Sequence, residues 1–113
     1  MNNGLILAII KIMRKLRNNK EILVDYLIIG TGSIAFRHLE NIIKLSPKKK
    51  IAICKRFTKS FDQRLINKKI DIIQNLDLVA PVNNQSIAII CSAATMHIVD
   101  AENVAKKGFN LLI

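Results

Sequence analysis

The strongest constraint on this chain is the junction where Tyr26-Leu27-Ile28-Ile29 passes without a break into Gly30-Thr31-Gly32-Ser33-Ile34-Ala35. A short apolar run bounded by glycine reads as a buried strand. Beyond the turn, Ala35, Leu39, Ile42 and Ile43 recur at helical spacing, which predicts a helix over residues 33–45 ended by Ser46-Pro47. Each small residue in the turn has a physical task. Gly30 permits the tight turn, Gly32 lets the backbone approach a bound anion, and Ala35 lets the helix pack closely on the strand. The first N–H groups of a helix have no intrahelical partner, so those of Ser33 and Ile34 are candidate donors to a phosphate.

The remainder of the chain repeats the alternation of short apolar runs with helical patterns. Ile51–Cys54 reads as a second strand, and Ser60 with Gln63 forms a capping box for a helix that turns Phe61, Leu65 and Ile66 inward. Residues 70–73 predict a third strand, residues 76–80 one helical turn ended by Pro81, and Asn83, Asn84 and Gln85 a polar loop. Ile87–Ile90 follows as a fourth strand. Thr95 is the expected cap of the next helix, with Ile98, Ala101, Val104 and Ala105 facing inward, Glu102 paired with Lys106, and Gly108 as the stop. Residues 109–113 give a fifth strand. This succession of βαβ units predicts an α/β fold, a doubly wound parallel sheet of Rossmann type. The sheet is expected to be incomplete, as a truncated product or fragment, because an uncapped apolar strand is a poor place for a domain to finish.

Ahead of this unit, residues 4–17 place Leu5, Ile6, Ile9, Ile10, Ile12, Met13 and Leu16 at helical spacing, with basic residues toward the end. The chain therefore divides into residues 1–24, an amphipathic helix and a linker around Asn18-Asn19-Lys20, and residues 25–113, the partial α/β domain. Ordinary packing of the helix, on its own domain or on a partner subunit of a homo-oligomer, is expected over a position on a membrane surface.

Size and charge narrow the function. A chain of 113 residues supports one domain and not a two-domain enzyme. The net charge of +10 calls for an anionic partner: nucleic acid, a membrane surface or a phosphate-bearing cofactor. Lys and Arg are scattered and carry no interleaved aromatics, which argues against nucleic acid. No apolar run is long enough to span a bilayer, and Lys11, Arg14 and Lys15 follow the first apolar run where a secretory signal would place them before it. The expected compartment is cytoplasmic. Cys54 and Cys91 form no CxxC pair and read as reduced thiols; no metal site is expected.

The end of the second strand bears on the cofactor. NAD sites usually place a carboxylate there for the ribose hydroxyls, whereas this chain has Lys55 and Arg56, a pair suited to a 2′-phosphate and hence to NADP over NAD. Ser92 and His97 flank the turn after the fourth strand, which in a doubly wound sheet lies at the ligand crevice.

Two segments, YLIIGTGSIAFRHLENI from Tyr26 and AIICSAATMHIVDAENVAKKGFNLLI ending at Ile113, together resemble the Gfo/Idh/MocA oxidoreductases, named for glucose-fructose oxidoreductase and inositol dehydrogenase. The resemblance implies NAD(P)-dependent redox chemistry on a sugar or nucleotide-linked sugar in the full-length family member. It places Ser92, Ala94, Thr95 and His97 near the nicotinamide and its ribose, with Ala93 where the family usually has proline. It also implies a Glu-Lys-Pro tripeptide and a substrate domain beyond the fifth strand, neither of which is in these 113 residues. The chain is therefore expected to bind cofactor and to carry no catalytic residue of its own. The alternative expectation is a non-catalytic nucleotide-binding module or an inactive gene fragment.

Overall fold

The computed structural model describes residues 3–18, 21–55 and 70–113, with the backbone alone at residue 11 and residues 13–18. The elements run α1 (Asn3–Asn18), β1 (Ile22–Val24), β2 (Tyr26–Ile29), α2 (Ser33–Leu45), β3 (Ile51–Cys54), β4 (Asp71–Ile73), β5 (Val79–Pro81), β6 (Ile87–Ile90), α3 (Ala94–Lys107) and β7 (Asn110–Leu112). The predicted helix with Phe61, Leu65 and Ile66 lies outside the described residues.

The protein is mixed α/β with parallel sheets. Five strands pair in the order β4-β3-β2-β6-β7, all parallel, with Ile29 level with Cys54 on one side and with Ile90 on the other. Chain order thus runs outward from β2 through β3 to β4, and resumes on the other side of β2 with β6 and β7. Strands covered on both faces can be apolar throughout, which is why IAIC of β3 is buried at all four positions.

Alternate residues feed two cores. Leu27, Ile29, Ala52, Cys54, Ala88 and Ile90 pack with Val104 of α3, while Ile28, Ile51, Ile53 and Ile89 pack with Ala35, Phe36 and Leu39 of α2. Each such fully buried aliphatic side chain stabilises the fold by about 1.5–3 kcal/mol relative to exposure. The first core extends to Val24 and Val79 of a two-stranded parallel sheet formed by β1 and β5.

Several local expectations change. Between the expected linker at Asn18-Asn19-Lys20 and the first expected strand lies a further strand, β1, formed because Ile22, Leu23 and Val24 find partners in Val79, Ala80 and Pro81. The helical turn expected over residues 76–80 is a 3-10 turn at Leu76–Leu78 only, with the Asn75 side chain accepting from the Asp77 N–H at 2.9 Å, after which the chain extends into β5. Pro81 is tolerated there at the end of an edge strand. Thr95 does not cap α3: the helix begins one residue earlier, Ala93 holds the cap position, and no side chain caps it. The inward face of α3 is also rotated. Ile98 is 74% exposed and Ala105 is exposed, whereas Asp100 and Val104 are wholly buried. At the other end Gly108 stops the helix as expected, in the left-handed region at φ 103°, with its N–H donating to Ala105.

Candidate functional site

The two central strands β2 and β6 end side by side, and the site grows from the loops that leave them. After Ile29, Gly30 turns the chain at φ +117°, a conformation that glycine alone adopts readily. Its N–H donates to the Cys54 carbonyl at 3.1 Å, while the Cys91 N–H donates to the Ile29 carbonyl at 2.8 Å. The turn is therefore clamped between the ends of β3 and β6. A Cβ on Gly30 would stand 2.7 Å from the Cys91 carbonyl oxygen, so the close approach that requires this glycine is to its own neighbouring loop.

Gly32 behaves differently. It caps α2 in an extended conformation, φ −74° and ψ −178°, and a Cβ added there would meet nothing within 4 Å. No side chain caps α2 and no acidic residue sits in its first turn. The first backbone bond of the helix runs from the Phe36 N–H to the Gly32 carbonyl at 3.1 Å, which leaves the N–H groups of Ser33, Ile34 and Ala35 as the donors a helix start offers to an anion. Ala35 itself is buried in the core under α2, the close contact its size was expected to allow.

Beside this helix start lies a pocket of about 440 Å³. Its walls include Ile34 and His38 of α2, Cys91, Ser92 and His97 around the start of α3, and Leu112 of β7. Ile34 and the Ser92–His97 segment, far apart in sequence, thus face one space. Ala94 and Thr95 stand exposed at the start of α3 and do not line it.

The loop between β6 and α3 is held by α3 itself. The Ser92 hydroxyl donates to the Asp100 carboxylate at 2.6 Å, and the His97 ring Nε2 bonds the Ser92 carbonyl oxygen. A carbonyl only accepts, so that bond requires Nε2 to carry a proton. His97 is here a positioning residue whose ring bonds the loop. Asp100, wholly buried, was missed in the sequence because an acidic residue in a helix is ordinarily solvated. The available signal was its spacing four before Val104, the other inward residue of α3.

Lys55 follows β3, with its N–H donating to Ile73 at 2.8 Å, and it is buried, only 6% exposed. It is not a solvated loop cation. Arg56 lies outside the described residues. Cys91 is half-buried in the pocket wall, and desolvation pushes its thiol pKa up. Among the described residues no group of three or more His, Cys, Asp or Glu side chains is placed to hold a metal ion. No helix among them is long and apolar enough to cross a membrane.

Comparison with protein-family models, with curated proteins and with solved structures gave no match to this chain.

Proposed function

We propose that this chain is the dinucleotide-binding portion of an NAD(P)-dependent oxidoreductase of the Gfo/Idh/MocA kind, built on a doubly wound Rossmann sheet. One observation carries the reading: the uncapped start of α2, opened by Gly32, stands at the ends of β2 and β6, where the chain order of the sheet reverses. In open parallel sheets, ligands bind in the crevice at that reversal, beyond the carboxyl ends of the strands. The added Cβ that would meet only open space at Gly32 fits a cofactor whose phosphates come close to the backbone.

In this reading the N–H groups of Ser33 and Ile34 bind the pyrophosphate, and the pocket walled by Ile34, Ser92 and His97 receives the nicotinamide end. The bonds from Asp100 and His97 to Ser92 fix that wall before ligand arrives, which lowers the ordering cost of binding. The 2′-phosphate preference falls to Arg56, since Lys55 is buried. The bound cofactor supplies hydride transfer to or from a carbinol carbon of a sugar. This chain's residues bind and orient, and none is assigned to proton transfer.

Calorimetric titration of the folded chain with NADPH and NADH tests the proposal. Saturable binding, tighter for NADPH and weakened by Gly32→Leu, is the expected result. A chain that is folded by circular dichroism and takes up neither nucleotide overturns it.

A further inference from the structure

Helix α1 presents an apolar face that is left exposed among the described residues. On this face Leu5, Ile9 and Ile12 are 60%, 47% and 58% exposed and Ile6 is exposed as well, whereas the exposed Leu7 falls among the cations and Ile10 beside Arg17. Of the two packings expected of this helix, on its own domain or on a partner subunit, the described residues do not provide the first. At about 100° per residue, Leu5, Ile9, Ile12 and Leu16 fall along one line, with Ile6 and Met13 beside it, in an arc of about 120°. Lys11, Arg14 and Lys15 fall within about 100° on the opposite side, and Arg17 flanks the apolar arc. The helix contains no acidic residue, and the first in the chain is Glu21.

We infer that α1 is an in-plane anchor for an anionic phospholipid surface. Sixteen residues are too few to span a bilayer, but an amphipathic helix with a cationic polar face lies at the headgroup boundary with its aliphatic side chains among the acyl chains. Charge selects this occupant. Helices that pair with a second copy usually place both signs beside the apolar seam so that flanking residues bridge, and α1 has only cations to offer. Lipid phosphates neutralise all four, whereas a second α1 repels them. The cations of α1 also belong to a chain of net charge +10, so the chain as a whole is attracted to an anionic surface.

Cosedimentation of the full chain with vesicles tests this. Binding is expected to mixed phosphatidylglycerol–phosphatidylcholine vesicles and not to phosphatidylcholine alone, and to fall steeply with salt. Replacing the four cations together (Lys11→Gln, Arg14→Gln, Lys15→Gln, Arg17→Gln) is expected to lower partitioning by roughly 600-fold, at roughly fivefold per cation. Ile9→Asp with Ile12→Asp, which keeps the cations, is expected to abolish it. The control Lys48→Gln, Lys49→Gln, Lys50→Gln removes exposed charge elsewhere and is expected to retain most of the binding. The inference is overturned by equal binding to phosphatidylcholine, by no binding to the anionic vesicles, or by a control that loses as much as the helix variant. It is also overturned if sedimentation velocity without lipid shows a dimer that Ile12→Asp dissociates, because a second copy then covers the face. Ile9, Ile12, Lys48, Lys49 and Lys50 are exposed, and circular dichroism of every variant checks that it is folded.

Discussion

Ser92 is bonded to Asp100, hydroxyl to carboxylate at 2.6 Å, across eight residues that include the whole first turn of α3. The bond ties the pocket wall to a fully buried group. A hydrogen bond to a charged acceptor contributes about 1.5–3 kcal/mol. Ser92→Ala and Asp100→Asn are each expected to destabilise the chain, and a double-mutant cycle by urea unfolding is expected to give a coupling energy of roughly 1–3 kcal/mol. Additive effects would show that the two side chains act independently.

The two glycines of the turn are expected to respond oppositely to alanine. Gly30→Ala places a Cβ 2.7 Å from a backbone oxygen at positive φ, and is expected to cost roughly 2–3 kcal/mol of stability. Gly32→Ala meets open space at an ordinary backbone conformation, so stability should change by less than about 1 kcal/mol. Its effect is expected on NADPH affinity instead, read by calorimetry beside thermal unfolding.

Ala93 has φ −56°, inside the range that a proline ring imposes, and among the described residues its N–H donates no hydrogen bond. Alanine there therefore keeps the loop in the conformation that proline would impose. Ala93→Pro is expected to stabilise the chain by about 0.4–1 kcal/mol through the unfolded state, with a raised melting temperature. A lowered one would show that the loop depends on flexibility at this position.

Burial raises the Cys91 thiol pKa, so its proton is held more tightly in the folded chain than in the unfolded one. Stability is therefore unaffected by this group below the unfolded thiol's value and declines as pH rises from there toward the raised folded value. Alkylation by iodoacetamide, followed by mass spectrometry of the Cys91 peptide, is expected to need higher pH than a free cysteine. Bound NADPH is expected to slow it further, because Cys91 walls the pocket. Labelling that matches a free thiol and ignores NADPH would contradict both expectations.

The elements that were legible from the sequence are those whose signal is local. Tyr26–Ile29, Ile51–Cys54 and Ile87–Ile90 are continuous apolar runs beside turn residues, and Ser33–Leu45 carries its own periodicity. The candidate pocket was half legible. Ile34, Ser92 and His97 lie in or just after the turns that leave β2 and β6, where topology predicts a crevice, with His38 one turn from Ile34 and Cys91 next to Ser92, but Leu112 joins them only through the parallel pairing of β7 with β6. Strand β1 was not legible, because three residues between Glu21 and Asp25 become a strand only by pairing with β5, far along the chain.

What the sequence determined alone was the α/β alternation and the glycine turn, since both follow from side-chain period and backbone permission within a few residues. The tertiary structure decided the rotation of α3, which buries Asp100 and exposes Ile98 because Val104 enters the core and Ser92 bonds the carboxylate. It also divided the turn's two glycines by role. Gly30 is required by the loop packed against it and Gly32 faces open space, a distinction that depends on which atoms lie opposite.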